Sequence, residues 1–311
     1  MRFATRVLVT IVGTLACMAS AFAAYPDKPI RLIVPFAPGG STDVLARLVG
    51  EKLTQSLGQP VIVENKPGAS GNIGSEIVAK AKPDGYTLLV GLGHTHTVNP
   101  VMFTNMTFKG IEDFTPIAML GFVTTTMVVN PEVPVKTVAE FIAYASAGVG
   151  SSTHLDGAIF AKMAGVEMLH VPFKGGAPAM QETIAGRTQV QFTAANLTLP
   201  QVNAGKLRLL AVTGSKRAAI LPNVPTVAET LPGFDKGVWY GVFGPAGMPK
   251  ELTDKLNAEI NRIMNAPEQK KMLEEIGIEV SNDTPSEFRA TLQKDAEYYG
   301  KLIRDLNIKA D

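Results

Sequence analysis

The sequence predicts an α/β fold in two lobes, with parallel sheets flanked by helices and a double crossover hinge between the lobes. Three observations carry this. Short apolar runs alternate with segments of helical periodicity, the pattern of strand–helix–strand units. At 311 residues the chain is too long for one small core and suits two α/β lobes. Finally, Val34-Pro35-Phe36 followed by Gly39-Gly40 is echoed by Val171-Pro172-Phe173 followed by Gly175-Gly176, each ahead of a helical pattern.

The elements follow in order. Residues 30–34 read as a buried strand, and Pro38-Gly39-Gly40 as a turn. Residues 41–57 carry apolar side chains at Val44, Leu45, Leu48, Val49 and Leu53, a helical spacing that Gly58 ends. Strands are predicted over 61–63 and 86–90, with a glycine-rich loop and a short helix over 72–81 between them. Farther on, 138–147, 153–165 and 178–186 read as helices, and 168–171, 189–192 and 207–212 as strands. Helices are predicted over 251–265, 269–276 and 285–306, the last with a capped start at Thr284-Pro285-Ser286-Glu287. If these pack back on the first lobe, residues 24–124 and 241–311 form lobe 1 and 125–240 an inserted lobe 2.

Residues 1–23 read as a signal peptide. Arg2 and Arg6 precede an apolar stretch too short to span a bilayer, and Ala21-Phe22-Ala23 is a small-x-small signature that places cleavage after Ala23. Cys17, the single cysteine, lies in this segment, behind a poor lipobox. The mature chain then offers no disulfide, thiol nucleophile or thiolate metal site. The formal net charge is +1, from 29 basic and 28 acidic residues without a basic run, so no nucleic-acid partner is expected.

The chemistry concentrates where strands end and helices begin. Pro38-Gly39-Gly40-Ser41-Thr42-Asp43 presents turn amides, a helix start and two hydroxyls, a combination that favours an anion. Gly68 and Ala69, within Pro67-Gly68-Ala69-Ser70-Gly71, offer a second set of amides, and Ser151, Ser152, Thr153 and His154 a third from the other lobe. Opposed loops of this kind hold a carboxylate by dipoles, without a fixed cation. The same residues also serve as plain helix caps. His94 and Thr95, just after the third strand, and His154 lie where a ligand could be touched. His94 and His96 lack evident further metal ligands nearby, and His154 and His170 read as isolated. No nucleophile elbow or zinc-protease signature is present. No cofactor is expected. The lone Trp239 reads as a hinge or cleft wall.

The segments 25–43, 63–69, 83–89, 171–178, 221–227 and 244–249 together resemble the extracytoplasmic solute receptors of tripartite tricarboxylate transporters, the Bug-type receptor family. The resemblance runs over essentially the whole mature chain. It implies a periplasmic-binding-protein fold, a periplasmic location, no enzymatic activity, and a transporter partner of one large and one small membrane subunit. It implies that a ligand carboxylate is held by loops 36–43, from Phe36 to Asp43, and 150–154, with Phe173 and Thr193 at the cleft. A monomer is expected. Two departures stand out. The segment between the helix predicted to end near Ala147 and the second loop is shorter than in the family, and Thr193 stands where many members carry aspartate. The second directs the expectation away from amino acids and towards di- or tricarboxylates or aromatic acids. A secreted metal-dependent hydrolase using His94, His96 and a carboxylate, and a ligand sensor for a membrane kinase, are the alternatives.

Overall fold

The computed structural model describes residues 25–133, 143–214, 216–234, 237–305 and 307–308. The expected signal peptide and its cleavage site, and residues 138–142 of one predicted helix, lie outside these.

The chain opens as β1 (Ile30–Val34), α1 (Ser41–Leu57), β2 (Val61–Asn65), α2 (Asn72–Ala79) and β3 (Thr87–Leu92). β1 runs parallel to both β2 and β3, with Leu32 opposite Val63 and Leu88. α1 buries Leu45, Val49 and Leu53 and leaves Val44 42% exposed, the split that its 3.6-residue period sets. Its Gly58 adopts φ 71° and returns its N–H to the Thr54 carbonyl. At Gly50 a Cβ would sit 3.2 Å from Val63, so the missing side chain lets the helix lie close on β2.

Two short helices, α3 (Gly93–Thr97) and α4 (Asn99–Met102), lead to β4 (Phe114–Val123). One residue, Thr124, separates β4 from β5 (Thr125–Val129). Then come β6 (Ala143–Ser146), α5 (Ser152–Ala164), β7 (Leu169–Pro172), α6 (Gly176–Ile184), β8 (Val190–Ala194), α7 (Ala195–Asn203) and β9 (Arg208–Val212). The chain returns through β10 (Val238–Pro245) and ends in α8 (Lys250–Met264), α9 (Pro267–Glu275), β11 (Ile278–Glu279) and α10 (Pro285–Asp305).

The strands form two sheets, ordered β11-β4-β10-β3-β1-β2 and β7-β6-β8-β5-β9. The chain passes from the first to the second at Thr124 and back before Val238. Parallel pairs are present in both, as expected, but both sheets are mixed. β10 enters from the other sheet and runs antiparallel to β3 and β4, and β5 is antiparallel to β8 and β9.

One correction concerns the predicted helix over 138–147. Ala143–Ser146 is instead a fully buried strand, parallel to β7 and β8. Alanine is the strongest helix former, but propensity is a weak prior and strand pairing on both sides overrides it. The segment before the second loop looked short beside the family because this strand was read as helix; the strand leads directly into the loop.

Candidate ligand-binding cleft

A cavity of about 50 Å³ lies between the two sheets. The first-sheet side contributes Phe36, Ala37, Gly40, Ser41, Thr42, Leu92, Val238 and Tyr240. The other side contributes Thr125, Ala147, Ser152, Thr153, Gly175, Gly176, Ala177, Pro178, Thr193, Ala194 and Leu197. Every one of these residues is uncharged. Helices α1, α5, α6 and α7 begin at this wall, the last behind its N-cap Ala194. The first-turn amides of a helix lack intrahelical acceptors and its dipole is positive there, so these starts together favour a negative guest. Gly175, the N-cap of α6, sits at φ 138°, a region open to glycine, and the space where its Cβ would stand is 3.6 Å from Ala37 Cβ across the cleft.

The first loop is braced from behind. Asp43 accepts the Gly39 amide at 3.0 Å and Arg47 Nε at 3.0 Å on one oxygen, and Asn65 Nδ2 at 2.9 Å on the other. Burial opposes its charge, but the hydrogen bonds from Arg47, Gly39 and Asn65 outweigh it and hold the carboxyl below its ordinary range. Asn65 also donates to the Phe36 carbonyl at 3.1 Å. Ser41 Oγ donates to Asn196 Oδ1 at 2.9 Å, tying the start of α1 to α7 across the cleft. The buried Tyr240 hydroxyl meets Ser41 and Thr42. Burial pushes its titration up to about 12, and those two contacts pull the other way.

The second loop is braced by an imidazole. The Gly150 amide donates to His154 Nδ1 at 3.0 Å, which requires a neutral ring with its proton on Nε2. Ser151 caps α5 by accepting the His154 amide at 3.2 Å, and Thr153 Oγ1 accepts the Ala147 amide at 2.8 Å. His154 and His170, read as isolated in the sequence, are stacked with centroids 4.0 Å apart. His170 Nε2 lies 2.6 Å from Ser146 Oγ. Burial, then the neighbouring His170, lowers the His154 pKa to about 3.

Of the residues singled out in the sequence, Phe36, Gly40, Ser41, Thr42, Ser152, Thr153 and Thr193 meet at the cavity. Pro38 and Gly39 are exposed beside it. Asp43, Ser151 and His154 turn back onto their own loops. Gly68 and Ala69 stand a layer behind. Their loop ends at Gly71, whose missing Cβ would meet both Phe36 and Thr95 at 3.2 Å, so Thr95 backs Phe36. Phe173 lies outside the lining and donates its amide to the Ser146 carbonyl at 3.0 Å. His94 packs on Tyr299, with centroids 4.8 Å apart. His96 is stacked on Phe243 at 4.0 Å with Nδ1 2.8 Å from the Gly110 carbonyl, and burial lowers its pKa to about 4. Among the described residues no group of three or more His, Cys, Asp or Glu side chains is placed to hold a metal ion.

Sequence reasoning missed the start of α6, Tyr240, Val238, Leu92, Thr125 and Leu197. The glycine echo at Gly175-Gly176 is the signal that could have found the first of these. The strand-borne members are visible only once the register is known.

The chain is similar to known proteins along most of its length. Protein BugT of Bordetella pertussis is 32% identical over 297 residues, with 92% of this chain and 91% of that protein covered. A solved structure from R. palustris, described as Rpa4515 with adipate, is 32% identical with a TM-score of 0.88, covering 92% of this chain and 99% of that one. MatC from Rhodopseudomonas palustris, described with bound malate, is 30% identical with a TM-score of 0.85, covering 90% of this chain and 100% of that one. The family described as the tripartite tricarboxylate transporter family receptor, TctC, matches residues 45–308, and the chain belongs to that family.

Proposed function

We propose that the protein is a periplasmic solute-binding receptor. It captures a small carboxylate, a di- or tricarboxylate or an aromatic acid, between two lobes, and delivers it to a membrane transporter of one large and one small subunit. The carrying observation is the cavity between the sheets, uncharged throughout and faced by helix starts drawn from both sides. Relatives described with adipate and with malate support the same ligand class.

In this reading the lobes are 24–124 with 241–311, and 125–240, and the chain joins the first sheet again three residues before residue 241, at Val238, where β10 starts. Ligand contacts come from Phe36, Gly40, Ser41, Thr42, Ser152, Thr153, Thr193 and the start of α6. Asp43 and His154 position those loops. The chain is exported by residues 1–23, cleaved after Ala23, works as a monomer without a cofactor, and carries out no chemical transformation.

A thermal-shift screen with malate, adipate, succinate, citrate, benzoate, aspartate and glutamate tests it. An acid at 100 times its Kd adds about 2.7 kcal/mol of stability. The plain acids are expected to raise Tm more than aspartate or glutamate, because no acidic side chain lines the cavity to pair an ammonium group. Gly40→Val supplies the local control. Gly40 has an ordinary extended backbone and the nearest atom to a built Cβ is 3.8 Å away, so the variant folds while its side chain occupies the cleft and abolishes the shift. No shift from any acid in the parent protein would overturn the reading.

A further inference from the structure

A second, larger cavity of about 990 Å³ lies on the other face of the crossing strands. The alternation of β10 separates the two spaces. Val238 and Tyr240 face the cleft, and Trp239 between them faces the large cavity, as neighbouring strand residues must. Thr125, where the chain first crosses, borders both. One wall of the large cavity is the segment 216–220 that follows β9. The facing wall is built from Phe122, Glu279, Lys294 and Tyr298 on β4, β11 and α10.

The cleft side is drawn together here. Ser41 is bonded to Asn196 across it, and Ala37 approaches Gly175. Two bodies rotating about the crossing strands must open one side as they close the other. The open space now lies on the hinge side, so opening the cleft would bring segment 216–220 towards β4 and α10.

We propose that the hinge-side cavity sets the receptor's ligand affinity, its walls acting as the stop that limits cleft opening. Ala219, Phe122 and Tyr298 touch no ligand, yet they decide how far the unliganded protein opens. A larger side chain at Ala219, which is exposed on the wall, props the hinge and favours the closed form. Removing the Phe122 ring, 43% exposed there, lets the lobes open farther. A ligand that binds the closed form gains affinity in proportion to that form's population, so raising it from about 10% to about 50% tightens binding about fivefold.

The ligand arm of this inference rests on the receptor reading, while the conformational arm does not. Glu51→Cys and Lys174→Cys, in the chain from Ala24 onward, which holds no other cysteine, place spin labels on exposed positions either side of the cleft, and pulsed electron resonance reads their separation. Without any acid, Ala219→Trp is expected to shift the population towards the short separation and Phe122→Ala towards the long one. Calorimetry with malate and adipate is expected to show about fivefold tighter binding for the first and several-fold weaker binding for the second. Should Ala219→Trp misfold by circular dichroism, Ala219→Met is the smaller prop and Phe122→Ala still reports. Unchanged separations, or the two variants moving the same way, overturn the inference. Separations that respond to the variants while no acid binds the parent would uphold the hinge and reject the receptor reading.

Discussion

Asp43 and His154 hold the same station in two different helices. Each is the third residue of its helix, and each accepts, at 3.0 Å, the amide of the residue four positions earlier, Gly39 or Gly150. That amide belongs to a loop whose next residues line the cleft. One loop is thus pinned by an ionised carboxylate and the other by a neutral imidazole. Charge suits Asp43 because Arg47 and Asn65 share it from the accessible side of α1. Neutrality suits His154 because its surroundings are Tyr144, His170 and the interior of the second sheet. One backbone task has two solutions, selected by how much solvent and counter-charge each site offers.

The largest effect of a single substitution is expected at His154. His154→Leu leaves the Gly150 amide buried without an acceptor and breaks the stack on His170, costing about 3 kcal/mol by chemical denaturation and more than tenfold in carboxylate affinity by calorimetry. Equal stability to the parent would mean that the imidazole is not the brace.

Acid acts on that brace and on His96 together, so its summed effect by pH 4 exceeds that of any one substitution. The ordinary value of a histidine is 6.5, and His154 and His96 lie at about 3 and about 4 in the folded protein. The unfolded chain therefore binds more protons as pH falls below 6.5, and stability drops by up to about 1.4 kcal/mol per pH unit for each ring, levelling once the folded value is passed. Asp43, also lowered, adds its loss only below the ordinary carboxylate range. Unfolding free energy measured from pH 7 to pH 4 checks this, and a flat profile would remove the contrast between the braces.

Asp43→Asn keeps the shape and loses the charge, with an expected cost of about 1 kcal/mol by denaturation and a several-fold loss of affinity. Arg47→Ala is expected to cost least, about 0.5 kcal/mol or less, because its pair with Asp43 is more than half exposed on the arginine side.

Much of the frame was legible because it is local. α1 and its glycine end, α2, α5, α8 and α10 follow from periodicity and caps close to the predicted bounds. β6 was not, since Ala143-Tyr144-Ala145-Ser146 carries no strand signal of its own and is a strand only because β7 and β8 flank it. β4 and β5 went unassigned because one residue separates them, without a turn signature, while they belong to different sheets. At the cleft, the hydroxyl and glycine positions could be read from motif and spacing. The directions of Asp43 and His154 could not, because spacing does not say whether a side chain at a helix start points at a guest or back at its own loop. Tyr240 and Val238 depend on which face of β10 is which, a fact of register with a strand remote in sequence.

The alternation along β10 has a practical consequence. Trp239 is the chain's single tryptophan, and its indole N–H donates to Asp295 at 2.6 Å in the wall of the hinge-side cavity. The molecule thus carries one indole fluorophore, placed at the proposed pivot and on the face of β10 turned away from the cleft. Its emission maximum should follow the polarity of that wall as the hinge turns, turning an unlabelled titration into a direct optical record of shape change.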